Sequence, residues 1–298
     1  MTDNFRGALL MMGAMALFTL NDTCTKLLSG DLPMSQIITL RGILTSVGTA
    51  LIAWRMRAFA HRLNRRDAIL VLLRTLAEVG GAYFFITALF NMPLANVTAV
   101  LQSAPLAVTL AAAVFLGEKV GWRRLVAIGI GFCGVLLIVR PGPEGFNLFA
   151  INALISVMFV TARDLFTRRL SRAVPSMLVS FATAVGVTLF FAVSAIGDTW
   201  VPLDTRAVGL IGTSAAALLF AYLCSVAAMR AGELSFVTPF RYTGLIWALL
   251  LGLVAFGDWP TWPTLLGAAI VVGSGLFMLY RERRLGLTPP SATRTPRA

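Results

Sequence analysis

The stretch FTLNDTCTKLLSG at residues 18–30 places Asn21, Asp22 and Lys26 in a segment that is otherwise almost entirely apolar. A charge at the centre of a bilayer costs roughly 2.5–3.5 kcal/mol on insertion scales, so such side chains need a partner, water or a function. Asp22 and Lys26 are four residues apart on one helix face, so an internal ion pair is one explanation. Lys26 could also extend to the headgroups. The alternative is that all three residues border a polar cavity.

Two arginines in apolar segments, Arg41 and Arg241, have no acidic residue three or four positions away. Each could bind an acid on another helix, such as Asp22 or Glu78. The charged residues within the apolar segments nevertheless leave a surplus of positive charge: Lys26, Arg41, Arg74, Arg163 and Arg241 against Asp22, Glu78 and Asp164. Because a guanidinium binds a carboxylate or phosphate through two parallel hydrogen bonds, Arg41 and Arg241 are candidate ligands for an anionic substrate.

Glu78 lies near the middle of its apolar segment and shares a helix face with Arg74, so the two are candidates for an ion pair. A second hypothesis is that burial favours the protonated form of Glu78 enough for it to exchange protons near neutral pH, an effect that the neighbouring Arg74 opposes. Arg163 and Asp164 lie towards the end of a later segment, beside a basic loop. The simplest interpretation of these two is an ion pair at the membrane interface.

Uncharged candidates for a binding site are fewer and less specific. Gln102 is followed by Pro105, which removes a backbone donor and can kink the helix towards a cavity. Tyr83, Tyr242 and Trp247 could stack on an aromatic or cationic ligand. For each aromatic residue, packing in the core or against lipid is the alternative.

The residues of metal and nucleophilic chemistry are sparse. Cys24, Cys133 and Cys224 are widely spaced in apolar segments, and the one histidine, His61, lies in an arginine-rich loop. This spacing predicts neither a disulfide framework nor a metal site, so no cofactor is expected. A membrane-embedded enzyme and a non-transporting receptor remain minor alternatives to a carrier.

These residues belong to a chain of 298 residues that is 58% hydrophobic and 13% charged. A soluble domain has about 25% charged residues, so the composition predicts an all-α integral membrane protein. Ten apolar windows are long enough to cross a bilayer. They cover residues 5–28, 33–54, 68–90, 93–116, 122–140, 147–167, 175–197, 206–229, 235–257 and 261–281.

Basic residues predict the orientation of the ten transmembrane helices. Loops on the side of the N-terminus hold eighteen of them, whereas the opposite side holds Arg140 and Arg206. By the positive-inside rule, both termini are cytoplasmic in a multi-pass protein of the cell inner membrane. The net charge of +12 is then a topology signal, and nucleic acid is not an expected partner. Residues 285–298 read as a disordered cytoplasmic tail.

The two halves of the chain resemble each other at an offset of 140 residues. This offset aligns LANVTAVLQ with LSFVTPFRY and FLGEKVGWRRL with AFGDWPTWPTL, so that Gly117 meets Gly257 and Trp122 meets Trp262. Because each half has five spans, an odd number, the second half starts from the opposite side of the membrane and is inverted relative to the first. We therefore predict two inverted five-helix repeats, 1–142 and 143–284, with a site near the midplane between them.

The ten spans and several short motifs resemble the drug/metabolite transporter superfamily, in its EamA-type ten-helix branch. The motifs are NDTCTK in span 1, LRG in span 2, GEKVGW after span 4, PFRY in span 9 and GDWPTW after it. Relatives of this kind include carriers of S-adenosylmethionine, riboflavin and amino acids. Many carry a Trp-Gly pair in span 1, where this chain has Phe18-Thr19-Leu20-Asn21.

The resemblance implies a secondary carrier that moves a small polar metabolite by alternating access, with span 1 lining the central cavity. A substrate bearing a carboxylate, such as an amino acid or S-adenosylmethionine, is expected; a neutral aromatic such as riboflavin is the alternative. Spans 5 and 10 lie outside the cavity in relatives, where contacts with lipids and a homodimer interface are implied. Small residues there, Gly129–Gly131 and Gly273–Gly275, are expected to serve packing.

Overall fold

A computed structural model describes residues 3–117, 121–139, 148–171, 173–231 and 234–284, which are helices joined by short connections. Ten helical spans are long and apolar enough to cross a membrane. We number them 1 to 10 in chain order: Asp3–Leu27, Met34–Arg55, Arg65–Asn91, Leu94–Phe115, Trp122–Val139, Leu148–Arg169, Ser176–Ser194, Thr205–Met229, Thr238–Phe256 and Trp262–Arg281. The predicted number of spans is confirmed, and each predicted boundary lies within three residues of the observed one. The predicted tail, 285–298, lies outside the described residues.

Local sequence explains where several spans begin and end. Pro33, Pro93 and Pro175 directly precede helices, where an extended residue with a fixed φ is readily accommodated. Spans 4 and 9 end at Gly117 and Gly257, whose φ values of 67° and 69° place both in the left-handed region that favours glycine. The two glycines aligned in the sequence therefore occupy equivalent positions at the ends of two spans.

The core forms because spans of the first half pack against spans of the second. Span 1 packs against span 8, span 3 against span 6, span 2 against span 7, span 4 against span 9 and span 5 against span 10. The two halves are thus interleaved along their whole length. A side chain in the middle of either half can therefore contact the other half.

Glycines allow the closest of these contacts. Gly134 of span 5 and Gly267 of span 10 approach so closely that a Cβ on Gly134 would lie 2.8 Å from the carbonyl oxygen of Gly267. Gly131 and Gly275 are also in tight contact within the chain, whereas Gly273 has open space around it. The predicted packing role of these small residues accordingly holds for Gly131 and Gly275 inside a single chain.

We expect Gly267→Ala to destabilise the protein by about 1–3 kcal/mol, because the added methyl group would collide with the backbone of span 5. The measurement is thermal unfolding in detergent. Gly273→Ala is the matched control, since it makes the same change on the same helix in open space. Equal unfolding temperatures for the two variants would contradict the close contact.

Candidate functional site

Spans 4 and 9 are both interrupted. In span 4 a helix covers Leu94–Leu101, and a second helix begins at Ala104 after a break at Gln102 and Ser103. A short helix, Leu234–Val237, leads into span 9, where a 3-10 turn at Thr238–Tyr242 separates it from the α-helix that begins at Thr243. Interrupted spans are tolerated in membranes where the freed backbone groups are buried in protein or line a cavity.

Gln102 joins the two interruptions. Its side-chain Nε2 donates a hydrogen bond of 3.2 Å to the backbone oxygen of Arg241. This contact uses the amide of Gln102 to satisfy a carbonyl at the irregular turn of span 9. Gln102 therefore lies at the junction of the two halves, where it was predicted as a lining residue.

The side chain of Arg241 is exposed within span 9. No hydrogen bond or ion pair engages its guanidinium within the described part of the chain. A guanidinium in a membrane-spanning segment requires water, lipid headgroups or a bound anion. The guanidinium of Arg241 is thus available to bind a planar anionic group.

Arg41 lies in a buried polar cluster formed by spans 1, 2 and 8. Its Nη1 donates to Asn21 Oδ1 at 3.0 Å and to Thr25 Oγ1 at 3.3 Å. Ser214 of span 8 donates to the same Asn21 oxygen at 2.8 Å. Asn21 in turn donates from Nδ2 to Asp22 Oδ1 at 2.9 Å. The cluster thereby links the two halves through Asn21, and Thr25 adds a contact of 3.3 Å between its hydroxyl group and that of Ser214.

One hydrogen-bond donor of this cluster, the Nε of Arg41, is not used in the described part of the chain. Arg41 is only 8% exposed, and its buried Nε has no hydrogen-bond partner among the described residues. Asp22 attracts Arg41 electrostatically, but the two do not form one of the ion pairs found in the described ranges. A buried donor without a partner is costly, so this position can gain from an additional acceptor.

A second cluster lies between spans 3, 6 and 7. Glu78 is paired with Arg163 of span 6 at 3.2 Å and with Arg74 at 3.9 Å. Arg163 also binds Asp164 at 2.8 Å, and Arg74 donates to Thr183 of span 7. The expected pair of Arg74 and Glu78 is present. This arrangement favours a structural role for Glu78, whose carboxylate lies between two guanidinium groups.

Tyr222 of span 8 connects the surroundings of the two clusters. It lies within electrostatic reach of Arg41 in the first cluster and of Glu78 and Arg163 in the second. Its ring packs edge-on against Phe18 of span 1, with the centroids 5.5 Å apart. We refer to the two clusters together with Tyr222 as the polar region.

Lys26 is engaged elsewhere. Its ammonium group donates to the backbone oxygens of Leu89, at 3.0 Å, and of Met92, and lies 5.3 Å from the centre of the Phe256 ring. The alternative of an Asp22–Lys26 ion pair is wrong, because the lysine instead binds free carbonyls at the end of span 3. In this structure Lys26 fastens span 1 to spans 3 and 9.

The three aromatic candidates are not gathered around the polar region. Tyr242 is 6% exposed, and its ring lies so close to Gly275 of span 10 that any side chain there would collide with it. Tyr83 is exposed and packs edge-on against Phe84 and Phe190. For Tyr83 and Tyr242 the contacts match the packing alternative. Trp247 is half-buried in span 9.

Several residues of the polar region were not singled out from the sequence. Thr25, Ser214 and Tyr222 are of types common in membrane helices, and their hydroxyl groups become conspicuous only beside Arg41. Arg163 and Asp164 do form the expected pair. Arg163 also reaches across to Glu78 on span 3, a contact that the sequence did not predict.

We expect a double-mutant cycle on Arg163→Gln and Glu78→Gln to give a coupling energy of about 1–2 kcal/mol, because the two partly buried charges are 3.2 Å apart and each would keep only its partner on its own helix, Arg74 for Glu78 and Asp164 for Arg163. The readout is the free energy of unfolding in detergent. The control pair is Arg206 and Asp31, exposed by 58% and 55%, for which coupling of at most about 0.5 kcal/mol is expected. Additive effects at Arg163 and Glu78 would contradict the cluster.

Comparison with known proteins identifies relatives along most of the chain. The S-adenosylmethionine uptake transporter of Rickettsia bellii is 23% identical over 267 residues, covering 89% of this chain and 90% of its own length. The riboflavin transporter of Vibrio cholerae is 31% identical over 216 residues, covering 72% of each chain. The pseudopaline exporter of Pseudomonas aeruginosa is 26% identical over 278 residues, covering 89% and 93%.

A solved crystal structure has the same fold, with a TM-score of 0.64 at 18% identity, and the match covers 94% of this chain and 98% of the other. The sequence profile of the EamA-like transporter family matches twice, at residues 5–140 and 147–280. These two matches together span nearly all of the ten helices. The chain therefore belongs to the EamA-like transporter family.

Proposed function

We propose that this protein is a secondary transporter that carries a small polar metabolite across the cell inner membrane by alternating access. Membership of the EamA-like transporter family and the transporter relatives support a carrier. The polar region supports a site within the membrane, because its residues lie in membrane spans and make contacts between the two halves. A carrier returns its ligand unchanged, which distinguishes it from an enzyme.

The proposed substrate bears a carboxylate, as an amino acid or S-adenosylmethionine does. The observation that carries this proposal is Arg241, exposed in the interrupted part of span 9 with no partner among the described residues. Arg41 offers a second donor, its unpaired Nε. An Arg–carboxylate contact would offset the cost of holding the guanidinium in the membrane.

A neutral aromatic substrate such as riboflavin is the second candidate. It is favoured by the riboflavin transporter of Vibrio cholerae, which at 31% has a higher identity than the other relatives described above, although over a shorter match. Tyr222, near both polar clusters, offers a ring and a hydroxyl group for such a ligand. Stacking on this ring would replace the ionic contact as the main source of affinity.

We also propose that the halves 1–142 and 143–284 are inverted repeats with both termini in the cytoplasm. The packing supports this: when every span number is shifted by five, the contact of spans 1 and 8 becomes that of spans 6 and 3. The contacts of span 2 with span 8 and of span 3 with span 7 exchange in the same way. The match of one family profile to each half also supports a repeat.

Alternating access requires contacts between the halves to open at one end of the bundle. At the end where span 2 begins, Gln36 exchanges two hydrogen bonds, of 2.7 and 3.0 Å, with the backbone of Val201. Ser35 donates to Asp198 at 2.5 Å beside them. We name this set, Ser35, Gln36, Asp198 and Val201, the far-end latch. It joins span 2 to the connection between spans 7 and 8.

We expect S-adenosylmethionine, or another carboxylate ligand from a metabolite panel, to raise the unfolding temperature of the purified protein. A ligand at about 100 times its Kd stabilises by roughly 2.7 kcal/mol. Arg241→Gln should abolish the shift, and the methyl ester of the same ligand should fail to produce it. Arg123→Gln is the control, since Arg123 is exposed, stacks on Trp122 and lines a groove formed by residues of spans 5 and 10.

Equal stabilisation by the acid and its ester would instead favour a neutral ligand. Uptake of the radiolabelled ligand into proteoliposomes, with its recovery unchanged, tests the carrier itself. Binding without uptake would contradict the proposed function, whatever the ligand.

We expect a disulfide across the far-end latch to stop transport. Ser35→Cys with Asp198→Cys, in a background without Cys24, Cys133 and Cys224, should form this bond on oxidation because the two side chains are in contact. Uptake by proteoliposomes should be lost on oxidation and restored by reductant. Ser35→Cys alone is the control. Full transport by the oxidised double variant would rule out opening at this latch.

A further inference from the structure

A cleft outside the polar region lies where span 3 begins and span 6 ends. It has a volume of about 600 Å³ and is lined by Arg65, Arg66, Ile69, Leu70 and Arg169. Three of these five residues are arginines, and all three are exposed. Two of them come from the first half of the chain and one from the second, so the cleft exists only because spans 3 and 6 pack together.

The position of the cleft is fixed by a buried carboxylate. Asp67 is 3% exposed, and its Oδ1 accepts a hydrogen bond of 3.1 Å from the backbone nitrogen of Ser171, just after span 6. Asn64 caps the same turn by accepting from the backbone nitrogen of Asp67 at 2.7 Å. Asp67 thus ties the end of span 6 to the start of span 3 and keeps Arg169 beside Arg65 and Arg66.

An apolar cluster also stabilises this connection. Val71 of span 3 packs with Val174 and Val179, which follow span 6 and begin span 7. The segments that contain the three arginines are therefore held together by a polar contact and by an apolar contact. These two contacts give the cleft a defined position in the fold. They distinguish its arginines from the other basic residues of the connecting loops.

The charge of the cleft is uncompensated within the described residues. No ion pair engages Arg65, Arg66 or Arg169 there, and the nearest carboxylate in sequence, that of Asp67, binds Ser171 instead. The beginning of a 27-residue helix adds the positive end of its dipole. Guanidinium groups in this arrangement suit a phosphate, which each can bind through paired hydrogen bonds.

We propose that this cleft binds a phosphate group. Its floor favours a phosphate attached to a lipid, because Ile69 and Leu70 are apolar and Ile69 is 48% exposed towards any ligand in the cleft. Basic pockets between membrane helices bind the headgroups of anionic lipids in this way. The site is separate from the proposed transport site, since none of its residues belongs to either polar cluster.

The test is native mass spectrometry of the purified protein titrated with phosphatidylglycerol, and separately with inorganic phosphate and pyrophosphate at constant ionic strength. The variant carries Arg65→Gln, Arg66→Gln and Arg169→Gln. Its affinity for phosphatidylglycerol should fall on the order of 100-fold, since each basic residue near an anionic surface contributes about fivefold. The matched control replaces three other exposed arginines, Arg6, Arg55 and Arg284, by Gln and should bind as the wild type does.

Binding of phosphatidylglycerol but not of the free anions would assign the site to a lipid headgroup, and competition by pyrophosphate would assign it to free phosphates. The proposal is overturned if the control loses as much affinity as the variant, since total charge would then explain binding. Equal binding by variant and wild type, or no binding by the wild type, overturns it as well. If the triple variant does not fold, Arg169→Gln alone should show a roughly fivefold loss.

Discussion

The cost of placing a charge in hydrocarbon without a partner governs the interior of this protein. Each charged group in a membrane span must find an opposite charge, hydrogen-bond acceptors or water, because the bilayer offers none of these. The structure answers this demand with partners from a different span. Arg163 reaches Glu78 on span 3, Arg41 reaches Asn21 on span 1, and Lys26 reaches carbonyls at the end of span 3. The charges therefore help to specify which helices are neighbours.

The same demand applies to the backbone. Where spans 4 and 9 are interrupted, carbonyl groups lose their helical partners and must be satisfied by side chains or water. Gln102 does this for the carbonyl of Arg241, across the boundary between the two halves. A side chain at the break in one half thus binds the backbone at the break in the other. Under the alternating access that we propose, such contacts would lie between the two moving halves.

Two kinds of arginine can be separated on this basis. Arg74 and Arg163 have acidic partners and hold spans 3, 6 and 7 together. Arg241 and the Nε of Arg41 have no such partner in the described residues, so they retain a capacity that a ligand could use. The arginines of the cleft differ again, since they are exposed and lie where span 3 begins and span 6 ends. Arginine content alone does not distinguish these roles; the distance to the nearest acid does.

The sequence by itself determined the ten spans and their limits, because the length of an apolar run and the glycines, prolines and charges that bound it are local properties. It also determined which charged residues required an explanation, and the Arg74–Glu78 pair, which follows from helical spacing alone. Only the tertiary structure decided that Lys26 binds the end of span 3, that Ser214 and Tyr222 join the polar region and that Tyr242 faces span 10. The physical reason is that each of these contacts joins helices far apart in the chain. The rotation of each helix and its neighbours are set by the packing of all ten spans. A local sequence pattern carries no information about this packing.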